Sequence, residues 1–108
     1  MYAARLIGPQ EERLFDAFIA SHPKGHFLQS YGWGEVKRAT GWQPLRLLLE
    51  KGGAPVAAAS LLKRPIPRTP YCILYCPRGP VVDFHQGEVF SHLMAAIDRV
   101  ARRQRAVF

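Results

Sequence analysis

The chain has 108 residues, 48% of them apolar, with fifteen lysines and arginines against eight acidic residues. That length holds at most one domain, and the apolar fraction excludes an intrinsically disordered chain. The net charge of +7 favours anionic partners (nucleic acid, phosphorylated substrates or an acidic membrane surface) without choosing among them.

Met1-Tyr2-Ala3-Ala4-Arg5 leads into no long apolar run, so no signal peptide is expected. No stretch approaches the ~20 apolar residues that span a bilayer, and a cytoplasmic location is expected. Tyr2 to Ile7 alternates weakly and reads as a first strand, broken by Gly8-Pro9. Pro9 suits the first turn of a helix, and Glu11 and Glu12 suit its positive end. Leu14, Phe15, Phe18 and Ile19 recur at helical spacing and predict one buried face. His22-Pro23-Lys24-Gly25 ends that helix.

A dense stretch follows from Phe27 to Trp42, holding both tryptophans. Ser30 is a good N-cap, and Gly41 sits where a left-handed C′ residue belongs. Trp33 and Val36 share a face of the predicted helix, and Lys37 follows Trp33 at i+4. Gly32 and Gly34 each cost ~1 kcal/mol relative to alanine, so this helix depends on tertiary packing. Such glycines also admit a close approach to the backbone.

Leu45 to Glu50 reads as a strand, Lys51-Gly52-Gly53 as a tight turn, and Val56 to Leu62 as the returning strand. The small side chains of Ala57, Ala58 and Ala59 would let a helix pack closely on the sheet. Prolines 65, 67 and 70 predict a stiff connector without regular structure. Tyr71 to Tyr75 is the next strand, and Pro77 to Phe84 a shaped loop. Glu88 to Arg103 is the clearest helix, with an apolar stripe of Phe90, Leu93, Met94, Ile97, Val100 and Ala101. Ala106-Val107-Phe108 then reads as the start of a parallel strand after a crossover helix. On this reading residues 1–108 form a single domain that is the front piece of a larger unit, or one whose sheet edge is completed by another chain.

Cys72 and Cys76 lie four residues apart in a strand, ~13 Å between Cα atoms, too far for a disulfide. Buried, reduced thiols are expected. His22, His26, His85 and His92 show no metal-ligand spacing. Asp83, Asp98 and Glu35 make no acid pair, and Glu35 points away from the Lys37 side of a regular helix. No serine or cysteine nucleophile stands out.

The element order defines an α/β (α+β) chain: a mixed, mainly antiparallel sheet flanked by helices. It fits the first half of a GNAT-like acyltransferase fold by analogy. A GNAT enzyme using acetyl-CoA needs free backbone N–H groups before its central helix. Here Pro80 removes a donor and Asp83 adds negative charge, which argues against a coenzyme A site.

The run Phe27-Leu28-Gln29-Ser30-x-x-Trp33-x-x-x-Lys37, then Gly41-Trp42, then Tyr75-x-Pro77-Arg78-Gly79-Pro80-Val81, resembles the Fem family of peptidoglycan-bridge aminoacyltransferases, the FemABX type. The resemblance covers the opening part of the family's chain. It implies a transferase built from two GNAT-like subdomains, moving an amino acid from aminoacyl-tRNA onto the peptide of lipid II or its UDP-linked muropeptide precursor. It implies no bound cofactor, aminoacyl-tRNA being a co-substrate, and a peripheral position at the inner membrane face. Catalytic residues are not assigned and would fall mostly beyond Phe108, so these residues alone are expected to lack activity.

Lys37 matches the family lysine attributed to binding the precursor's diphosphate, and an ammonium on a helix edge is a good point charge for phosphate. Trp33 either lines the acceptor pocket or belongs to the core, and Trp42 reads as packing. Arg78, in a Pro/Gly-framed loop, either meets an anion or caps carbonyls, and Tyr75 has the same two readings. Arg99, Arg102, Arg103 and Arg105 read as a solvated helix end rather than a contact to tRNA phosphates. Two other readings stand beside the transferase: a non-catalytic basic module for tRNA or acidic lipid, and an N-acetyltransferase using acetyl-CoA.

Overall fold

The computed structural model describes residues 1–23, 25, 29–77, 79–83 and 85–107. Strand β1 (Tyr2–Leu6) leads through a short 3-10 turn (Pro9–Glu11) into helix α1 (Glu12–Ser21). Helix α2 (Tyr31–Arg38) follows, then strands β2 (Gln43–Lys51), β3 (Ala54–Pro65) and β4 (Cys72–Tyr75), and helix α3 (Gly87–Arg103). The four strands form one sheet in the order β1-β2-β3-β4, with every neighbour antiparallel.

The middle of this sheet is covered on both faces, which explains why its strands read as continuous apolar runs. Leu47, Leu49, Ala57, Ala59 and Leu61 face α3, where Val89, Leu93, Ala96 and Val100 complete the core. Leu48 and Ala58, one residue out of step, face the other way onto Phe15, Ile19 and Tyr31. Ala57, Ala58 and Ala59 are fully buried, so both helical layers sit close to the sheet. At the β2–β3 turn, Gly52 and Gly53 have φ of 59° and 86°, a pair of left-handed residues that suits a two-residue hairpin.

Several expectations shift. The stripe of α3 centres on Val89, Leu93, Ala96 and Val100, while Phe90 and Ile97 are only partly buried and Met94 is 42% exposed. Close packing against alanines favours the face with the smaller residues over the face with the bulkiest ones. Leu14 of α1 is likewise exposed, leaving Phe15 and Ile19 as its buried pair. The proline connector is shorter than expected, because β3 runs through Pro65, which pairs with Cys72, and Ile66 N donates to Tyr71 O at 3.0 Å. A proline is tolerated at such a strand end.

The loop after β4 belongs to the sheet edge. Val81 forms an antiparallel bridge to Ala58, with Ala58 N donating to Val81 O at 3.0 Å and Val81 N to Ala58 O at 2.8 Å. Further along β3, Leu62 is paired with Tyr75 of β4. Between them the edge of Ser60 that faces away from β2 has no strand beside it, and the side chain of Gln29 takes that place. Ser60 N donates to Gln29 Oε1 at 2.8 Å, and Gln29 Nε2 donates to Ser60 O at 3.3 Å and to Pro77 O at 2.5 Å. Gln29 is fully buried.

Beyond α3, Ala106 makes a parallel bridge to Cys72, with Cys72 N donating to Arg105 O at 3.1 Å and Val107 N to Cys72 O at 3.0 Å. The first pairing of the expected parallel strand is therefore present, while Phe108 lies outside the described residues.

Replacing Gln29 by methionine keeps most of the volume but orphans Ser60 N–H and C=O in a dry site. The expected cost is about 2–3 kcal/mol, the penalty for buried groups left unpaired. It is read as a lower denaturant midpoint with an unchanged m-value.

Candidate functional site

Helix α2 is built from both ends. At its start Ser30 Oγ accepts from Trp33 N at 3.1 Å, and Asp16 Oδ1, reaching across from α1, accepts from Tyr31 N at 2.7 Å. At its end Trp42 N donates to Lys37 O at 3.2 Å and Gly41 N to Arg38 O at 3.3 Å, with Gly41 at φ 92°. This pair of bonds around a left-handed glycine is the Schellman arrangement. Ser30 and Gly41 thus do what the sequence predicts.

The helix lies on β2 through Gly34. A Cβ there would come within 2.7 Å of Arg46 Nη2 and 3.0 Å of Pro44 Cβ, whereas a Cβ on Gly32 would meet nothing within 4 Å. Close approach therefore accounts for Gly34 and not for Gly32. Under Gly34, the guanidinium of Arg46 is 4% exposed. Its Nη2 donates to Tyr31 O and to Glu35 Oε2, both at 2.8 Å, and its Cζ lies 3.6 Å from the Tyr31 ring centroid. Arg46 Nε is buried without a hydrogen-bond partner. Glu35 also accepts from Arg38, through Nε at 3.3 Å and Nη2 at 3.2 Å. Hydrogen bonding from Arg46, and then from Arg38, holds the Glu35 carboxyl below its ordinary value of 4.5.

Lys37 projects from the last turn with its Nζ 5.9 Å from the Trp33 ring centroid. This is a weak cation–π contact, worth about 0.5–1 kcal/mol at an exposed site. Among the described residues no carboxylate forms an ion pair with Lys37. Trp33 is half-buried and stands outside both core clusters. Trp42 is also half-buried, in a surface group where Arg64 Cζ lies 4.4 Å from its ring and the Tyr75 ring 6.3 Å away. Arg64 further donates from Nη2 to Thr40 O at 2.7 Å.

The structure therefore joins Lys37 with Trp33, and Tyr75 with Trp42 and Arg64. The second group reaches the first through the helix end, where Trp42 N meets Lys37 O. Arg78 lies outside the described residues. Asp83, just before α3, accepts from His85 N at 2.9 Å and from Gln86 Nε2 at 3.4 Å. Among the described residues no cluster of His, Cys, Asp or Glu is arranged to hold a metal. Cys72 and Cys76 are free thiols, and burial pushes Cys76 up to about 11. Arg102 pairs with Asp98 at 3.0 Å on an exposed helix end. A cavity of about 130 Å³ on the α3 side of β1, flanked by Arg5, Arg99 and Arg103, contains none of the candidate residues.

Sequence reasoning missed Arg46 and Arg64, and it found Gln29 only as a motif position without a role. Arg46 carried a usable signal. It is the one charge within Leu45-Arg-Leu-Leu-Leu, on the same side of the strand as Leu48, and a charge in a strand buried on both faces requires a partner.

These features define an α+β chain in which a short, two-ended helix presents a lysine beside a sheet. Residues 10–108 match the FemAB family, and the chain belongs to it. It is 36% identical over 91 residues to Lipid II:glycine glycyltransferase of Staphylococcus aureus, covering 84% of this chain and 22% of that protein. The protein of that name in strain bovine RF122 / ET3-1 is similar to the same degree. A crystal structure of FemX superposes with a TM-score of 0.85 at 33% identity, over 96% of this chain and 25% of that one. The chain thus spans about a quarter of the length of the relatives it matches. Among the described residues no helix is long and apolar enough to cross a membrane.

Gly32→Ala, facing open space, is expected to stabilise by up to about 1 kcal/mol, whereas Gly34→Ala destabilises, because a clash costing about 1–3 kcal/mol outweighs the helix gain. Thermal melts of the two variants check the opposite signs. Because the Glu35 pKa is depressed in the folded state, its contribution is present above pH 4.5 and is lost as the pH falls through the folded value. The gap in denaturant midpoint between the parent and Glu35→Gln is therefore expected to close on acidification below pH 4.5.

Proposed function

We propose that this chain is the opening part of an aminoacyltransferase that extends the peptide of a cell-wall precursor, and that Lys37 binds the precursor's diphosphate. Family membership and similarity to a lipid II:glycine glycyltransferase support the reaction class. The observation that carries the site is the Lys37 ammonium, held near Trp33 at the end of α2 with no carboxylate pairing it among the described residues. Glu35, the nearest acid along the helix, is occupied by Arg46 and Arg38. An anion arriving at this edge meets Lys37 as a point charge.

The acceptor is lipid II or its UDP-linked form, and the donor is aminoacyl-tRNA. In the transfer, a deprotonated amine of the acceptor peptide attacks the ester carbonyl that links the amino acid to tRNA. A C–N bond forms, the C–O bond to the ribose breaks, the tRNA hydroxyl leaves with a proton, and no redox partner is needed. Holding the two substrates in register supplies much of the rate. Lys37 contributes by binding and orienting the acceptor through its phosphates, at a distance from the reacting amine. Trp33, Tyr75 and Arg78 are proposed to shape the same acceptor site.

We further read residues 1–108 as the first part of a GNAT-like unit completed by later chain, working in the cytoplasm at the inner membrane face. The net charge of +7 suits the approach to anionic lipid and to tRNA.

In the full chain that carries these residues, Lys37→Ala is expected to weaken binding of the UDP-linked muropeptide by about 10- to 100-fold, the worth of one charge-assisted hydrogen bond of about 1.5–3 kcal/mol. Isothermal titration measures it, and an unchanged dissociation constant overturns the assignment. Steeply salt-dependent RNA binding by a protein with no affinity for the muropeptide would favour the basic interaction module instead.

A further inference from the structure

We infer that Arg46 is a positioning residue for Lys37: it clamps α2 to the sheet and so fixes where the ammonium is presented. The inference rests on the reading of Lys37 given above and extends it to a side chain that never meets substrate.

Helix α2 is eight residues long and contains two glycines. A helix that short does not hold its shape in water, so its orientation is set by whatever docks it. The docking is concentrated on one rung of the sheet. Arg46 of β2 is the cross-strand partner of Ser60 in β3. Ser60 binds the Gln29 amide just ahead of the helix, and Arg46 binds Tyr31 O in the first turn and Glu35 in the second. Gly34 removes the one side chain that would hold the helix off the guanidinium. Lys37 comes two residues after Glu35, so less than one turn of helix separates the clamp from the residue that carries the ammonium.

Arg46 cannot be an anion ligand itself, being 4% exposed. Packing alone does not explain it either, since an apolar residue of similar volume would avoid burying a charge, and Nε is left without a partner. What the guanidinium adds is a planar face laid on the Tyr31 ring, which aims the single nitrogen Nη2 at both the carbonyl and the carboxylate. It also sorts the charges of α2. Glu35 is drawn to Arg46 and Arg38, and Lys37 is left to meet an incoming phosphate.

The test uses the full chain carrying these residues. Arg46→Lys keeps the charge but loses the planar group stacked on the Tyr31 ring. It is expected to leave amide protection of β2 and β3 intact while the α2 amides exchange at least tenfold faster. Affinity for the UDP-linked muropeptide is expected to fall at least fivefold in the Lys37 background and to change little when Lys37→Ala is already present. That non-additivity is a signature that general destabilisation would not produce. Unchanged α2 exchange, or an equal loss of affinity in both backgrounds, overturns the inference. Should Arg46→Lys unfold the sheet, Glu35→Gln releases one of the two anchors from the surface side, and the same readouts decide. If the parent protein does not bind the muropeptide at all, the functional reading falls, and α2 exchange alone then decides the clamp.

Discussion

The backbone of Ser60 faces outward between two stretches of sheet that do not meet, and the Gln29 amide closes the gap. Without it, a buried N–H and a buried C=O in the longest strand would stand unpaired, at a cost comparable to a sizeable share of a small domain's stability. The amide is suited to the place because it offers one acceptor and two donors, the complement of a peptide edge plus one spare donor for Pro77 O. This contact joins three separate parts of the chain: the segment ahead of α2, the centre of β3 and the turn after β4.

The same rung carries a second polar contact on its neighbouring strand, the Arg46 clamp. Together they explain how a glycine-containing helix is held in one place on an otherwise apolar sheet. Apolar packing by itself permits a short helix to slide or rotate, since many registers bury similar area. Directional bonds to Tyr31 O, Glu35 and Ser60 do not permit this. The cost is a guanidinium taken out of water, and the return is a defined orientation rather than extra stability.

What could be read from the sequence was local. The Ser30 cap, the left-handed Gly41, the Gly52-Gly53 hairpin and the amphipathic α3 are each decided within a few residues, and the structure agrees on all four. What could not be read joins positions 31 and 15 residues apart, as between Gln29 and Ser60 or Arg46 and Tyr31. Trp33 and Trp42 are both half-buried and present their faces to the cations Lys37 and Arg64. The stripe of α3 holds at Leu93 and Val100, while Val89 and Ala96 take the central places and Met94 turns to solvent. At the candidate site, the motif indicated Lys37 directly. Arg46 was legible as a lone charge in an apolar strand, but its partners Tyr31 O and Glu35 depend on how α2 lies on β2.

The end of α2 has a further consequence. Lys37 supplies the carbonyl that receives both Trp42 N and the Thr40 hydroxyl, so the residue that offers the ammonium also terminates the helix. Its backbone torsions are already fixed before any ligand arrives. Only the side-chain torsions remain to be frozen, and for lysine these carry up to about 2 kcal/mol of rotamer entropy. The Trp33 ring already narrows that freedom in the unliganded protein. The ammonium therefore behaves as a charge on a short tether: its anchor on the backbone is held, and the side-chain torsions are the freedom left to it.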